Sequence, residues 1–198
     1  MRLSMTAQQP IVGVLLAAGA GTRFGGGKLV HPLEDGVAIA AHAARNLVAA
    51  GLDVIAVIRP GDFPLADILE QEGCQVTHCA DSVHGMGHTL VHGVGATREA
   101  AGWIVALADM PRVRPSTIQA VAAAISEGAP IAVPFYGEQR GHPVGFSSRL
   151  REELAQLRGD VGARPVLQRH AADIRRIEID DAGVLLDVDS KIDLQRVV

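Results

Sequence analysis

The apolar residues of this chain come in short unbroken runs separated by stretches of helical composition. That pattern constrains the fold more than any other feature. Ile11–Ala17 and Trp103–Leu107 contain no charged residue, and Asp53–Ile58 contains none after its first position. A strand with one face in water alternates polar and apolar residues, whereas a continuous apolar run requires cover on both faces. Between the runs, Ile39–Ala50, Phe63–Glu72, Thr89–Ala100 and Pro115–Glu127 read as helices. Gly51 and Gly73 stand where a left-handed residue closes a helix. Gln75–Cys79 and Ile131–Pro134 add two further strands. Strands joined by helical crossovers predict an α/β protein, a three-layer α/β/α Rossmann-like arrangement with right-handed connections and a mostly parallel sheet.

The last third breaks the alternation. Phe135–Phe146 reads as a small antiparallel, hairpin-like excursion carrying Arg140-Gly141-His142-Pro143. Arg149–Leu157 and Arg164–His170 read as helices. Ile174–Ile179 and Val184–Val188 read as strands around the Asp181-Ala182-Gly183 turn, and Ser190–Val197 as a short closing helix. No linker or repeat interrupts residues 11–198, so a single domain is expected there, with a loose tail over residues 1–10.

The first apolar run opens into Gly19-Ala20-Gly21-Thr22-Arg23-Phe24-Gly25-Gly26-Gly27-Lys28. Glycines carry no Cβ and accept positive φ, so such a loop can aim several backbone N–H groups at phosphates. Arg23 and Lys28 add full positive charge. The loop is neither a Walker A motif, since Thr22 and Leu29 stand where Gly and Ser/Thr are needed, nor a dinucleotide fingerprint, since its third glycine would fall on Phe24. Cations within a glycine loop after a buried strand point to a nucleoside triphosphate.

Asp109 follows another buried strand and precedes Met110-Pro111, where the proline keeps the turn extended. In a parallel sheet the ligand lies beyond the carboxyl ends of the strands, so Asp109 and the glycine loop can converge across the sequence between them. There Asp109 either binds Mg2+, a hard cation that takes few carboxylates plus phosphate oxygens, or merely caps the turn before Pro111; as a solvent-facing turn carboxylate it would add little to the core, so Asp109→Ala is expected to abolish catalysis and leave the fold intact. Asp187, Asp189 and Asp193 form a second acidic group. Asp187 and Asp189 share a face if the last strand continues, and Asp193 is placed like a first-turn helix residue; helix capping by part of this group is the alternative. Asp189 is the candidate to join Asp109 around one metal. Arg140 and His142 either meet a second, anionic substrate or belong to a plain surface turn, and Asp160 or backbone N–H groups in Gly159–Arg164 either contact substrate or cap a helix. His84, His88 and His92 have metal-ligand spacing for a helix face. Gly85 and Gly87 argue against a helix there, and Asp81–Leu90 reads instead as a loop approaching a base or ribose.

The chain of 198 residues has a net charge of −4 and 3% aromatic residues. A basic nucleic-acid face and a base-stacking platform are both excluded on those grounds. Cys74 and Cys79 form no Cys-x-x-Cys pair and suit reduced thiols of a cytoplasmic protein. No apolar run reaches membrane-spanning length, and the run before the glycine loop is too short for a secretory segment.

Taken together, the motifs resemble the MobA-like NTP transferases, the nucleotidyltransferases of molybdenum cofactor maturation, within the nucleotide-diphospho-sugar-transferase fold. The residues that carry the resemblance are Leu16–Lys28, Asp109-Met110-Pro111, Gly85–Leu90, Arg140–Pro143, Gly159–Arg164 and Asp187–Asp193. The cytidylyltransferase branch is the nearest pattern, because Leu16-Ala17-Ala18-Gly19 stands where the guanylyl branch more often has Leu-Ala-Gly-Gly. Thr89, His88 and Lys191 depart from the family pattern.

The resemblance implies Mg2+-dependent transfer of CMP from CTP to the phosphate of molybdopterin. Arg23, Lys28 and Asp109 would be catalytic. Leu16, Ala17, Ala18, Gly19, Gly21, Asp81, Gly85, Arg140 and His142 would be binding residues, and Asp109 and Asp189 metal ligands. Guanylyl or other NTP transfer to molybdopterin or a sugar phosphate is the alternative within the family. A cofactor-holding chaperone for a molybdenum hydroxylase is the alternative outside it.

Overall fold

The computed structural model describes residues 9–197. The tail expected over 1–10 therefore lies, for residues 1–8, outside the described residues. The first half follows the alternation: β1 Ile11–Leu16, α1 Ile39–Ala49, β2 Asp53–Ile58, α2 Phe63–Gln71, β3 Gln75–His78, α3 Met86–Ala96, β4 Gly102–Leu107 and α4 Pro115–Ser126. Gly51 and Gly73 take φ values of 85° and 87° at the ends of α1 and α2, the left-handed conformation their sequence positions predicted. β5 Ile131–Tyr136, β6 Gln139–Arg140, β7 Val144–Ser147, α5 Arg151–Ala155, α6 Arg164–Arg169 and β8 Ile174–Glu178 complete the chain.

Among the described residues one eight-stranded sheet runs in the order β3-β2-β1-β4-β7-β5-β6, with β8 also paired to β5. The pairs β1/β2, β1/β4, β2/β3 and β5/β8 are parallel. β7 is antiparallel to both β4 and β5, and β6 is antiparallel to β5. The excursion thus becomes the wedge that joins the two halves of the sheet. The pleat divides each buried strand between two cores. Leu15 and Ala17 pack with α1, α2 and α4, whereas Val12, Val14 and Leu16 pack with α3, α5 and α6. Two covered faces explain the unbroken apolar runs.

Several expected elements are corrected. α3 starts at Met86 rather than Thr89 and ends at Ala96. Gly85, at φ 115°, turns the chain just before it, and Gly87 lies inside it because the helix presses on a neighbouring loop: a Cβ there would stand 2.9 Å from the Arg158 carbonyl carbon. These glycines supply room, and the helix tolerates Gly87. β5 does not stop at Pro134. The proline carbonyl still accepts from Gly141 N–H, and its missing donor faces the side where β6 gives way to β7 through the bulged Gly141–Pro143. Val184–Val188 is not a strand. Ala182–Leu185 forms a 3-10 turn, the Val184 carbonyl accepts from His142 N–H, and Val188 N–H donates to the Asp109 carbonyl. Backbone groups that a ladder would need are used by two loops instead. The helix of Arg149–Leu157 is shorter, and the closing helix is a 3-10 segment over Lys191–Arg196.

Candidate active site

β1 and β4 lie side by side with Leu16 opposite Leu107. From β1 the chain turns to β2 on one side, and from β3 it crosses back to β4 on the other. The reversal opens a crevice at the carboxyl ends of these two strands, the place where open α/β sheets bind ligands. The glycine loop leaves β1 into this crevice, and Asp109 leaves β4 into it.

The loop is pinned by Phe24, whose ring is buried against Ile39, Val188 and Val197. Gly21, Gly25, Gly26 and Gly27 all take positive φ, so the loop doubles back and turns Lys28 inward. The Lys28 side chain is 9% exposed, and its Nζ lies 2.7 Å from Asp109 Oδ2 and 3.6 Å from Asp189 Oδ1. Arg23 stands outside, 79% exposed, with Nη1 2.8 Å from Asp189 Oδ2. Asp109 Oδ1 is buried and has no hydrogen-bond partner among the described residues. The bond from Val188 N–H to the Asp109 carbonyl holds the carboxyl-terminal segment against the β4 turn, which is why Asp189 reaches the same corner. Asp193 accepts from the backbone N–H of Asp189 and of Ser190 and from Ser190 Oγ, so it caps the closing segment. The Asp187 carboxyl is pushed above the usual range, first by desolvation and then by the like charges of Asp189 and Asp109.

Three adjoining cavities of about 370, 490 and 320 Å³ form one trough across the crevice. The first lies between the glycine loop and Arg59. The middle one holds Leu16, Ala18, Gly85, Thr89, Asp109 and Asp160. The third has an apolar floor that includes Phe146 and Leu167, with Arg140, His142 and Arg164 among its polar groups. Burial pushes the His142 imidazole down to about 4, helped by the Arg140 charge and opposed by Asp109. The ring is therefore neutral at pH 7, and its Nδ1 is buried with no hydrogen-bond partner among the described residues.

A model of the MobA-like NTP transferase domain matches residues 13–174. The chain belongs to this family. It is 28% identical over 191 residues to the purine catabolism protein PucB of Bacillus subtilis, covering 91% of this chain and 92% of that protein. It is 27% identical over 197 residues to a nicotine blue oxidoreductase of Paenarthrobacter nicotinovorans, covering 95% and 96%. The crystal structure of Rv0371c from Mycobacterium tuberculosis superposes with a TM-score of 0.85 at 26% identity, covering 97% of this chain and 98% of that one. A manganese complex of the same protein superposes at 0.80, covering 96% and 98%. The fold and the activity class, nucleotidyl transfer, follow from this membership.

Within this MobA-like domain most residues singled out from the sequence come together at the crevice, with instructive exceptions. Leu16, Ala18, Gly19, Gly21, Lys28, Gly85 and Asp109 line the trough. Ala17 does not; the pleat sends it to the opposite core. Asp81 is exposed on a 3-10 turn, and the trough is lined there by Ser82 and Val83. Arg140 and His142 lie in the third cavity, apart from the glycine loop. Asp109 is not the solvent-facing carboxylate expected, since its side chain is 23% exposed and paired with Lys28. Asp187 and Asp189 share no strand face, because no strand forms there. His84 and His88 have ring centroids 5.6 Å apart, whereas His92 is bonded to Thr77.

Arg59 also lines the first two cavities. In the sequence Arg59-Pro60-Gly61 reads only as a strand stop, since nothing local says that the strand before it lies beside β1. Among the described residues, no group of three or more His, Cys, Asp or Glu is gathered around a metal position. The donors at the Lys28 corner nevertheless suit a hard divalent cation: they are carboxylate oxygens, few in number, and one is buried without a partner.

Proposed function

We propose that the protein is a Mg2+-dependent nucleotidyltransferase that moves CMP from CTP to the phosphate of molybdopterin and releases pyrophosphate. Residues 11–198 would act as one nucleotidyltransferase domain in the cytoplasm, with a molybdenum hydroxylase as the eventual partner. The observation that carries this reading is the Lys28–Asp109 contact of 2.7 Å at the β1/β4 reversal. It puts a cation and a carboxylate between the glycine-loop cavity and a separate cavity bearing Arg140 and His142.

Two substrates are needed, and the trough offers two ends. Lys28, Arg23 and the backbone N–H groups of Gly19–Gly21 hold the triphosphate. Arg140 and Arg164 draw the acceptor phosphate, and the neutral His142 can hydrogen-bond without adding charge. An acceptor phosphate oxygen attacks the α-phosphorus, the bond from that phosphorus to the bridging oxygen breaks, and pyrophosphate leaves with the electron pair. No side-chain nucleophile is required; the protein positions the reactants and stabilises charge on the transferred and leaving oxygens. Mg2+ held by Asp109 and Asp189 would supply further neutralisation of those oxygens. The manganese complex of a relative supports a divalent ion. The Ala18 methyl on the trough wall supports a pyrimidine over a purine, an effect of ~1–3 kcal/mol.

Pyrophosphate release from CTP, GTP, ATP and UTP, each with Mg2+ and molybdopterin, tests the reading. CTP is expected to be preferred, with activity lost on chelation and restored by Mg2+. GTP as the sole active nucleotide would overturn the cytidylyl assignment.

A further inference from the structure

Lys28 stands with its Nζ between Asp109 and Asp189, the two carboxylates assigned above to a divalent ion. Its ammonium touches both carboxylates, at 2.7 and 3.6 Å, and its stem is nearly buried. The lysine is closely fitted: a Cβ on Gly21 would lie 3.1 Å from Lys28 Cβ. Gly25–Gly27, just before it, all adopt positive φ. Even so, Asp109 keeps one buried oxygen without a hydrogen-bond partner among the described residues.

We propose that Lys28 is a placeholder cation: while no nucleotide is bound, its ammonium holds the divalent-ion position between Asp109 and Asp189, so that metal and triphosphate enter together. This rests on assigning Asp109 and Asp189 to the metal. A divalent ion arriving alone must evict a nearly buried ammonium that then has no anion to meet, and removing one partner of a buried pair is strongly unfavourable. A triphosphate arriving alone takes Lys28 but leaves two bare carboxylates beside a polyanion. Arriving together they exchange partners, the carboxylates passing to the metal and the ammonium to the phosphates, and every charge stays paired. The consequence is reciprocal coupling: each ligand tightens the other by the same factor. Arg23 cannot play this part, because it is largely exposed and its pair is screened by water.

Mn2+ serves as the probe, its free concentration read by electron paramagnetic resonance, with α,β-methylene-CTP as a nucleotide that does not turn over. In the unaltered protein, Mn2+ alone is expected to bind weakly, and the analogue is expected to tighten it by about tenfold or more. Lys28→Gln keeps a hydrogen-bond donor for Asp109 and removes the charge. It is expected to bind Mn2+ alone about tenfold more tightly and to lose most of the enhancement. If Lys28→Gln binds Mn2+ no better than the unaltered protein, the placeholder role is wrong.

Asp109→Asn separates the two ideas. Undiminished Mn2+ binding by that variant in the presence of the analogue would show that the metal assignment itself fails. A second measurement needs no variant. Lys28 and Lys191 are the lysines of the chain, so lysine-selective 13C labelling resolves the Lys28 side chain by NMR. Its signals should move with Mg2+ plus analogue and stay with Mg2+ alone. A full shift on Mg2+ alone would overturn the proposal.

Discussion

Asp109 and Lys28 are each other's main electrostatic partner, so a change at either position is felt in stability as well as in turnover. The sequence suggested that Asp109→Ala would spare the fold, but the burial of Lys28 changes that expectation. We expect Asp109→Ala to lower turnover by at least ~10²-fold, the scale for losing one group that stabilises developing charge. We also expect a stability loss of about 1–2 kcal/mol, moderated because Asp189 remains 3.6 Å away. Turnover assays and the denaturant midpoint without nucleotide check the two parts. At this scale residue type carried much of the information: a glycine loop with two cations and a carboxylate before proline were recognisable by their chemistry. Ala17 and Arg59 were not. An apolar run says that both faces are covered but leaves the phase of the pleat open, so Ala17 and Ala18 could not be told apart. Arg59 gains its place only from the pairing of β2 with β1.

Helix α3 shows how an element can be misread from its glycines. Gly93 sits where α3 crosses β1, and a Cβ there would stand 2.6 Å from Val14 Cγ1. Gly93→Ala is therefore expected to cost about 1–3 kcal/mol through overpacking, despite the better helix propensity of alanine. The urea midpoint measures it. Composition alone discouraged a helix across Gly85–Gly87, because the reason for those glycines is the neighbouring 158–160 loop, which local sequence does not reveal.

That loop is tied at its base. Glu153 of α5 is bonded to Arg169, and its Oε1 lies 2.8 Å from His170 Nε2, just beyond α6. The hydrogen bond to Glu153 chiefly raises the His170 pKa above its ordinary 6.5, while His170 first and Arg169 second hold Glu153 below its ordinary 4.5. A raised histidine stabilises the fold below 6.5, and that contribution fades as pH climbs through its folded value. A lowered carboxyl stabilises above 4.5, and its contribution fades as pH falls through its folded value. Glu153→Gln should thus lower the melting temperature most at roughly pH 5.5, less above roughly pH 8, where only the Arg169 pair remains, and least at acid pH, where Glu153 is protonated, by about 1–3 °C at the maximum for so exposed a cluster.

For the whole molecule, the alternation of strands and helices was enough to give the class and the end of the sheet where ligands gather. It could not give the strand order, because nothing local says that β7 will enter between β4 and β5. The trough lies between the glycine loop, the α3 start and the 159–164 segment, so a ligand there joins distant parts of the chain. CTP with Mg2+ at a hundredfold excess over its dissociation constant is expected to add about 2.7 kcal/mol of stability, read as a rise in melting temperature. CTP without metal is expected to add much less.

The antiparallel wedge also bears on how the protein is born. Residues 11–107 can line up β1 to β4 as soon as they leave the ribosome, yet the outer edge of β4 stays bare until Val144–Ser147 emerges to cover it. Between those moments the nascent chain carries an open, apolar strand border of the kind that invites pairing with other chains. Stalled ribosome complexes should gain protease resistance in one step once the β7 segment has cleared the exit tunnel, and chains arrested short of it should be the ones that recruit chaperones.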